Sequence, residues 1–91
     1  MSVKVRIPTQ LRPLAGGIGE VEVQASTVGE ALAALDAAYP GFGERIFDDA
    51  GQLRRFVNVF MGDEDVRFLD GLATPVQEGS VVSVVPAVAG G

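Results

Sequence analysis

Cysteine and histidine are both absent from this chain of 91 residues. No thiolate nucleophile, persulfide carrier, disulfide or cysteine metal cluster can therefore form, and no imidazole is available as base or ligand. Most catalytic repertoires are closed by these two absences. No apolar run reaches the ~18 residues that a membrane-spanning helix needs, because the longest, Val81 to Gly91, is interrupted by Ser83 and Pro86. The opening residues alternate Val3, Lys4, Val5, Arg6, Ile7 instead of placing a basic segment before an apolar block, so no secretory signal is expected. The expected compartment is the cytoplasm. An excess of positive charge is missing too. Seven basic against twelve acidic residues give a net charge of −5, which opposes nucleic-acid binding and points to a protein partner.

What is present fits one small folded unit. Hydrophobic residues form 47% of the chain and charged residues 21%, far from a disordered composition, and the length allows one core but not two. Residues 1–86 are expected to form a domain, and residues 87–91 a flexible tail.

Alternation predicts a first strand over Val3 to Ile7, with Val3, Val5 and Ile7 facing inward, ended by Pro8. Thr9 to Gly19, rich in proline and glycine, reads as a loop, and Glu20 to Gln24 as a second strand completing a hairpin. Gly16-Gly17-Ile18-Gly19 follows a strand as a phosphate cradle would, yet no helix start or lysine follows, so it reads as part of that loop. Thr27 with Glu30 three positions later forms a capping box, after which Val28, Ala31, Leu32, Leu35, Ala38 and Tyr39 share one helical face up to Pro40-Gly41.

Beyond it, Phe42, Ile46 and Phe47 suggest a short helical turn, followed by a polar stretch from Asp48 to Gln52. A third strand is predicted over Phe56 to Met61, with Val57, Val59 and Met61 inward, then a tight turn at Gly62-Asp63 and a fourth strand over Asp65 to Phe68. Leu69 to Val76 reads as a crossover in which Leu72 and Val76 pin a short helical piece. A fifth strand spans Val81 to Val85. One good helix can cover only one face of such a sheet. The class is α+β. Two hairpins flanking a helix, with the last strand returning to the middle of a mixed five-stranded sheet, make the β-grasp or ubiquitin-like arrangement.

The chain ends in Ala87-Val88-Ala89-Gly90-Gly91. Five extended residues reach roughly 17 Å beyond Pro86, and none is bulkier than valine. Such a tail can thread a narrow channel. Paired glycines remove every Cβ from the approach to the terminal carbonyl. The carboxylate of Gly91 is then sterically bare, but it resists nucleophiles until an activating enzyme converts one oxygen into a leaving group. Adenylation with ATP would do so, and a sulfur donor displacing AMP would leave a thiocarboxylate.

The stretch Arg55-Phe56-Val57-Asn58, the run Gly62-Asp63-Glu64-Asp65-Val66-Arg67-Phe68, the segment Gly71-Leu72-Ala73-Thr74 and the ending Val85-Pro86-Ala87-Val88-Ala89-Gly90-Gly91 together resemble the ubiquitin-like sulfur carriers. These include the small subunit of molybdopterin synthase and the carriers of thiamin-thiazole and cysteine biosynthesis. Leu11-Arg12-Pro13-Leu14-Ala15-Gly16 is similar to the family's first loop, and the Asp-Glu-Asp-Val-Arg-Phe hairpin and the ending are most similar to the cysteine-biosynthesis branch.

The resemblance implies a carrier, not an enzyme, whose Gly91 is adenylated by an E1-like enzyme and converted to a thiocarboxylate. In that branch it implies an aminoacrylate acceptor on a PLP-dependent cysteine synthase, with the cysteine released by a metalloprotease. ATP, PLP and metal would belong to the partners, with no cofactor bound by the carrier itself. Molybdopterin, thiamin thiazole and sulfur-containing natural products are the other destinations that the shared tail allows. A ubiquitin-like modifier conjugated through Gly91, a permanent small subunit of molybdopterin synthase and a passive interaction module are the competing readings.

Other features bear on partners. Phe60 and Val85 are apolar where the alternation calls for polar residues, beside Lys4, Arg6, Asn58 and Ser83 on the wet face. They suggest a docking surface in which Phe60, Val85, Arg6 and Phe56 take part. In the family, the corresponding face meets the activating enzyme. Asp63, Glu64 and Asp65, with Asp48 and Asp49, lack the alternating spacing of a calcium loop and read as solvated turns, so no metal site is assigned. Arg54-Arg55 is too small a basic cluster for nucleic acid, and is expected to flank the third strand or to meet an acidic partner.

Overall fold

The computed structural model describes residues 1–55 and 57–86. The strands are β1 (Ser2–Arg6), β2 (Glu20–Gln24), β3 (Val57–Met61), β4 (Glu64–Asp65) and β5 (Val81–Pro86), and the helices are α1 (Val28–Ala38) and α2 (Phe42–Ile46). They form one mixed sheet in the order β2-β1-β5-β3-β4. β1 and β5 run parallel at its centre, and the other pairs are antiparallel. The β-grasp expectation holds, with the last strand inserted in the middle.

The alternation read from the sequence sets the faces. Val3, Val5, Val57, Val59, Val82 and Val84 point into the core, where α1 lays Val28, Ala31, Leu32 and Leu35 over them. Ala38, expected on the same helical face, is exposed; it lies in the last turn, beyond Leu35, the last buried residue of α1. The Oγ1 of Thr27 accepts the Glu30 amide at 3.2 Å, and Glu30 Oε1 accepts the Ser26 amide at 3.0 Å, so the helix starts where the capping pair places it. Gly29 lets α1 approach the crossover. A Cβ there would lie 3.1 Å from the Leu72 carbonyl oxygen, in the 3₁₀ turn Gly71–Ala73.

Two segments differ from the sequence expectation. The predicted loop from Thr9 carries a 3₁₀ helix over Thr9–Ala15 with Leu11 and Ala15 buried. Pro13 lies inside this helix, and Gly16 in the left-handed region closes it, its amide donating to the Pro13 carbonyl. The predicted fourth strand over Asp65 to Phe68 is only the two residues Glu64–Asp65, after which Val66–Phe68 turns into a 3₁₀ helix. Asp65 Oδ1 accepts the Arg67 amide at 2.8 Å, a side-chain bond that competes with the strand ladder, and Val66 is fully buried by the turn that results. No helix among the described residues is long and apolar enough to cross a membrane.

Candidate functional site

The functional candidates fall into two groups. Ala87, Val88, Ala89, Gly90 and Gly91, together with Phe56, lie outside the described residues. The rest can be placed on the sheet.

β5 delivers the chain to the point from which residues 87–91 continue. It is held on both sides: β1 pairs with it through Lys4–Val81 to Arg6–Ser83, and β3 through Met61–Val82 to Val57–Pro86. The pairing with β1 ends at Ser83, and β3 alone accompanies β5 to Pro86 at one end of the sheet. This tail end also contains the close of β1, the start of β3 and the 3₁₀ helix from Thr9.

On the face opposite α1, Arg6, Ser83 and Phe60 form one row across β1, β5 and β3, and Val85 lies opposite Asn58 one step nearer the tail. Val85 is 42% exposed and Phe60 half-buried. Arg6 is exposed and sits 3.5 Å from Glu20 Oε2 across the β1–β2 rung. The structure thus brings Arg6, Phe60 and Val85 onto one surface beside the tail root, an apolar centre with a cation at its margin.

Two arginines outside the sequence-derived site add to this geometry. The Nε of Arg12 donates to the Ile7 carbonyl at 3.1 Å, and its side chain lies over Gly19, where a Cβ would come within 3.0 Å of that nitrogen. Arg12 and Arg6 line a groove of ≈ 510 Å³ with Thr9, Ser83 and Val85. Arg67 acts on the other side. Its Nη1 donates to Asn58 Oδ1 at 2.7 Å, and its Nη2 to the carbonyls of Val57 at 2.7 Å and Arg54 at 3.0 Å. No periodicity announces either role, since both depend on tertiary acceptors.

Of the acidic segments expected as turns, the one from Asp48 is a turn, whereas Glu64 and Asp65 form β4. Asp48 Oδ1 accepts the amides of Ala50 and Gln52 at 2.9 and 3.0 Å, and no group of three or more candidate ligands among the described residues could hold a metal ion. Arg54 and Arg55 lie two to three residues ahead of the start of β3, flanking it as expected, and Arg54 Nε donates to the Glu44 carbonyl at 2.9 Å.

Comparison with known proteins gives a consistent assignment. Residues 5–91 match the ThiS family. The chain is 48% identical over 93 residues to the sulfur carrier protein CysO of Mycobacterium tuberculosis, covering all of both chains. The crystal structure of that CysO superposes with a TM-score of 0.89, at 46% identity over 94% of this chain and 99% of the other. A chain of the Amycolatopsis orientalis BexX/CysO complex superposes with a TM-score of 0.92, at 42% identity over 98% and 99% of the two chains. Small archaeal modifier protein 3 of Haloferax volcanii is 44% identical over 66 residues, 72% of this chain and 71% of its own. These relatives are named as carriers and modifiers, not as catalysts, and on this evidence the chain belongs to the ThiS family of ubiquitin-like sulfur carriers.

Proposed function

We propose that the chain carries sulfur on its C-terminal carboxylate. An E1-like enzyme would bring ATP to Gly91. A carboxylate oxygen attacks the α-phosphorus, pyrophosphate leaves, and an acyl-adenylate forms. A sulfide equivalent then attacks the acyl carbon and AMP leaves, so that one oxygen of the terminus is replaced by sulfur. The thiocarboxylate is a soft nucleophile at neutral pH and donates its sulfur to an acceptor on a second enzyme. The acceptor we favour leads to cysteine, on a PLP-dependent synthase with later release by a metalloprotease, because the full-length relative at 48% identity is a CysO.

Within this scheme Gly91 is the loading site. Ala87, Val88, Ala89 and Gly90 are the narrow thread that enters the partner, and the surface of Phe60, Val85, Arg6 and Phe56 is where the partner seats. Residues 1–86 serve as the body. ATP, PLP and metal act in the partners.

The observation that carries the reading is the position of β5. The strand that leads into residues 87–91 lies between β1 and β3 over Val81–Ser83 and stays paired with β3 to Pro86, and the exposed Val85 stands one residue before its end. A partner gripping the sheet face would therefore receive the tail in a defined direction. Intact mass after incubation with the adenylating enzyme, ATP and a sulfur source tests the proposal: replacement of one oxygen by sulfur is expected, and an unchanged mass with an enzyme active on its own carrier refutes it. Deleting Gly91 should abolish the change.

A second reading, conjugation of Gly91 to amines of other proteins, is favoured by the similarity to small archaeal modifier protein 3. Carrier-sized adducts on cell proteins that disappear in the Gly91 deletion would support it. Lys4 is the chain's only lysine, so chains of the modifier would have few attachment points.

A further inference from the structure

The sequence is acidic as a whole, and the fold leaves its two ends unlike in charge. β1 and β5 run toward the tail end, and β2 and β3 run away from it. The far end consequently gathers the start of α1, the turn after β3, the crossover and the turn before β5. Glu30, Asp63, Glu64, Asp70 and Glu78 lie there, with Glu30 bonded to the Ser26 amide and Glu78 to the Ser2 amide. The tail end carries both signs, with Glu20 beside Arg6 and with Asp36, Glu44, Asp48 and Asp49 around Arg54, and it holds most of the cations. Arg6 closes β1, Arg12 lies on the 3₁₀ helix that follows, and Arg54 and Arg55 precede the residue paired with Pro86. The guanidinium of Arg67 reaches the same place through the Val57 carbonyl. Only Lys4 and Arg45 among the seven basic residues are outside this set.

The groove beside Val85 sharpens the point. Arg6 and Arg12 line it, and among the described residues no Asp or Glu does. Arg12 uses its Nε on Ile7, which holds the guanidinium plane in place. A guanidinium fixed in this way presents its terminal nitrogens as a fork suited to a carboxylate. The 3.5 Å approach of Glu20 leaves Arg6 exposed.

We infer that this arginine collar steers the chain tail-first onto a protein whose channel mouth is rimmed with acidic side chains, one of which seats between Arg6 and Arg12. The inference rests on the tail-delivery reading above and adds the chemistry of the partner's rim. An excess of acids at the far end relative to the other, measured along the strands, orients an approaching molecule before contact, and an acidic mouth would favour the arginine-lined groove while repelling the carboxylates of the far end. Such steering raises association rates by about 10 to 10³-fold and is removed by salt.

Two measurements test it. In adenylation assays at low salt, Arg12→Glu and Arg55→Glu should each lower kcat/KM about tenfold with kcat unchanged, and the deficit should shrink to under about threefold near 0.5 M salt. Arg12→Gln, which removes charge without reversing it, should fall between, and Asp63→Lys at the far end should not lower kcat/KM. Equal kcat/KM for wild type and the Arg12 and Arg55 variants at low salt overturns the inference while leaving the sulfur-carrier reading intact.

The second measurement needs no activating enzyme. Titration of the ¹⁵N-labelled full chain with polyglutamate should shift the amides of Thr9, Arg12, Ser83 and Val85 and leave those of Asp63, Asp70 and Glu78 in place. Shifts spread over both ends, or none, overturn it. If the wild type is never adenylated, the proposed function fails, and the titration still decides whether the collar binds carboxylates.

Discussion

Arg67 Nη2 donates to the carbonyl of Val57 at 2.7 Å, and Val57 is the residue that pairs with Pro86 on the last rung of β5. The guanidinium thus fastens the β3 end of the rung from which the tail departs. Its other terminal nitrogen holds Asn58, and Nη2 also reaches Arg54, so one side chain ties the approach to β3 to its first two residues.

Removing that fork should loosen the tail root. Hydrogen bonds from a charged donor contribute about 1.5 to 3 kcal/mol each when buried, and Arg67 is exposed, so a total of about 1 to 2 kcal/mol is expected for Arg67→Ala. In a domain of this size that lowers Tm by roughly 5 to 15 °C. Arg67→Lys keeps the charge but not the planar fork, and should recover less than half of the loss. Thermal unfolding followed by circular dichroism checks both, and equal Tm for Arg67→Ala and wild type would contradict the clamp.

The helix start gives a second prediction. Thr27 accepts the Glu30 amide, which otherwise has no acceptor within the first turn. Thr27→Ala should cost about 1 kcal/mol, and Thr27→Ser or Thr27→Asp should retain most of the stability. Urea midpoints at constant m-value measure the difference.

The elements that the sequence announces are those governed by local periodicity and capping. The alternation in β1, β2 and β5 and the Thr27–Glu30 pair of α1 need no distant partner to be read, and all appear at or within a residue or so of the expected places. The short β4 and the 3₁₀ helix from Thr9 were hidden for a shared reason: each is decided by a contact absent from local pattern. Asp65 turns its carboxylate onto the Arg67 amide and ends the strand early, and Leu11 and Ala15 are drawn into the core beneath a segment whose glycines and prolines suggest a loop. At the site, Val85 and Phe60 were legible as breaks in a polar face. Arg12 and Arg67 were not, because what singles them out is the carbonyl each one finds.

The junction between α1 and α2 supplies a third prediction. Asp36 Oδ1 accepts the amides of Gly41 and Gly43 at 3.2 and 2.7 Å, and Gly41 has a φ of +115°, where a side chain is strained. Asp36→Ala and Gly41→Ala should each cost about 1 to 2 kcal/mol. Because both act on one turn, the double variant should cost less than the sum, which a double-mutant cycle of unfolding free energies would detect.

Val85 offers the most direct test of the sheet face. It is 42% exposed and stands opposite Asn58, with its side chain turned away from the core, so a polar replacement removes little packing. Val85→Asp should leave Tm within a few degrees of wild type. If a partner seats on this face, however, the same change introduces a charge into the desolvated centre of the contact, where single truncations of well-placed residues cost more than about 1 kcal/mol and a buried unpaired charge costs more still. KM for adenylation should then rise about tenfold or more. Gly91 is chemically unaltered in this variant, so kcat at saturation should change far less than KM. A fall in kcat alone would mean that the face orients the terminus without contributing to affinity, and unchanged kinetics would move the docking surface off this side of the sheet.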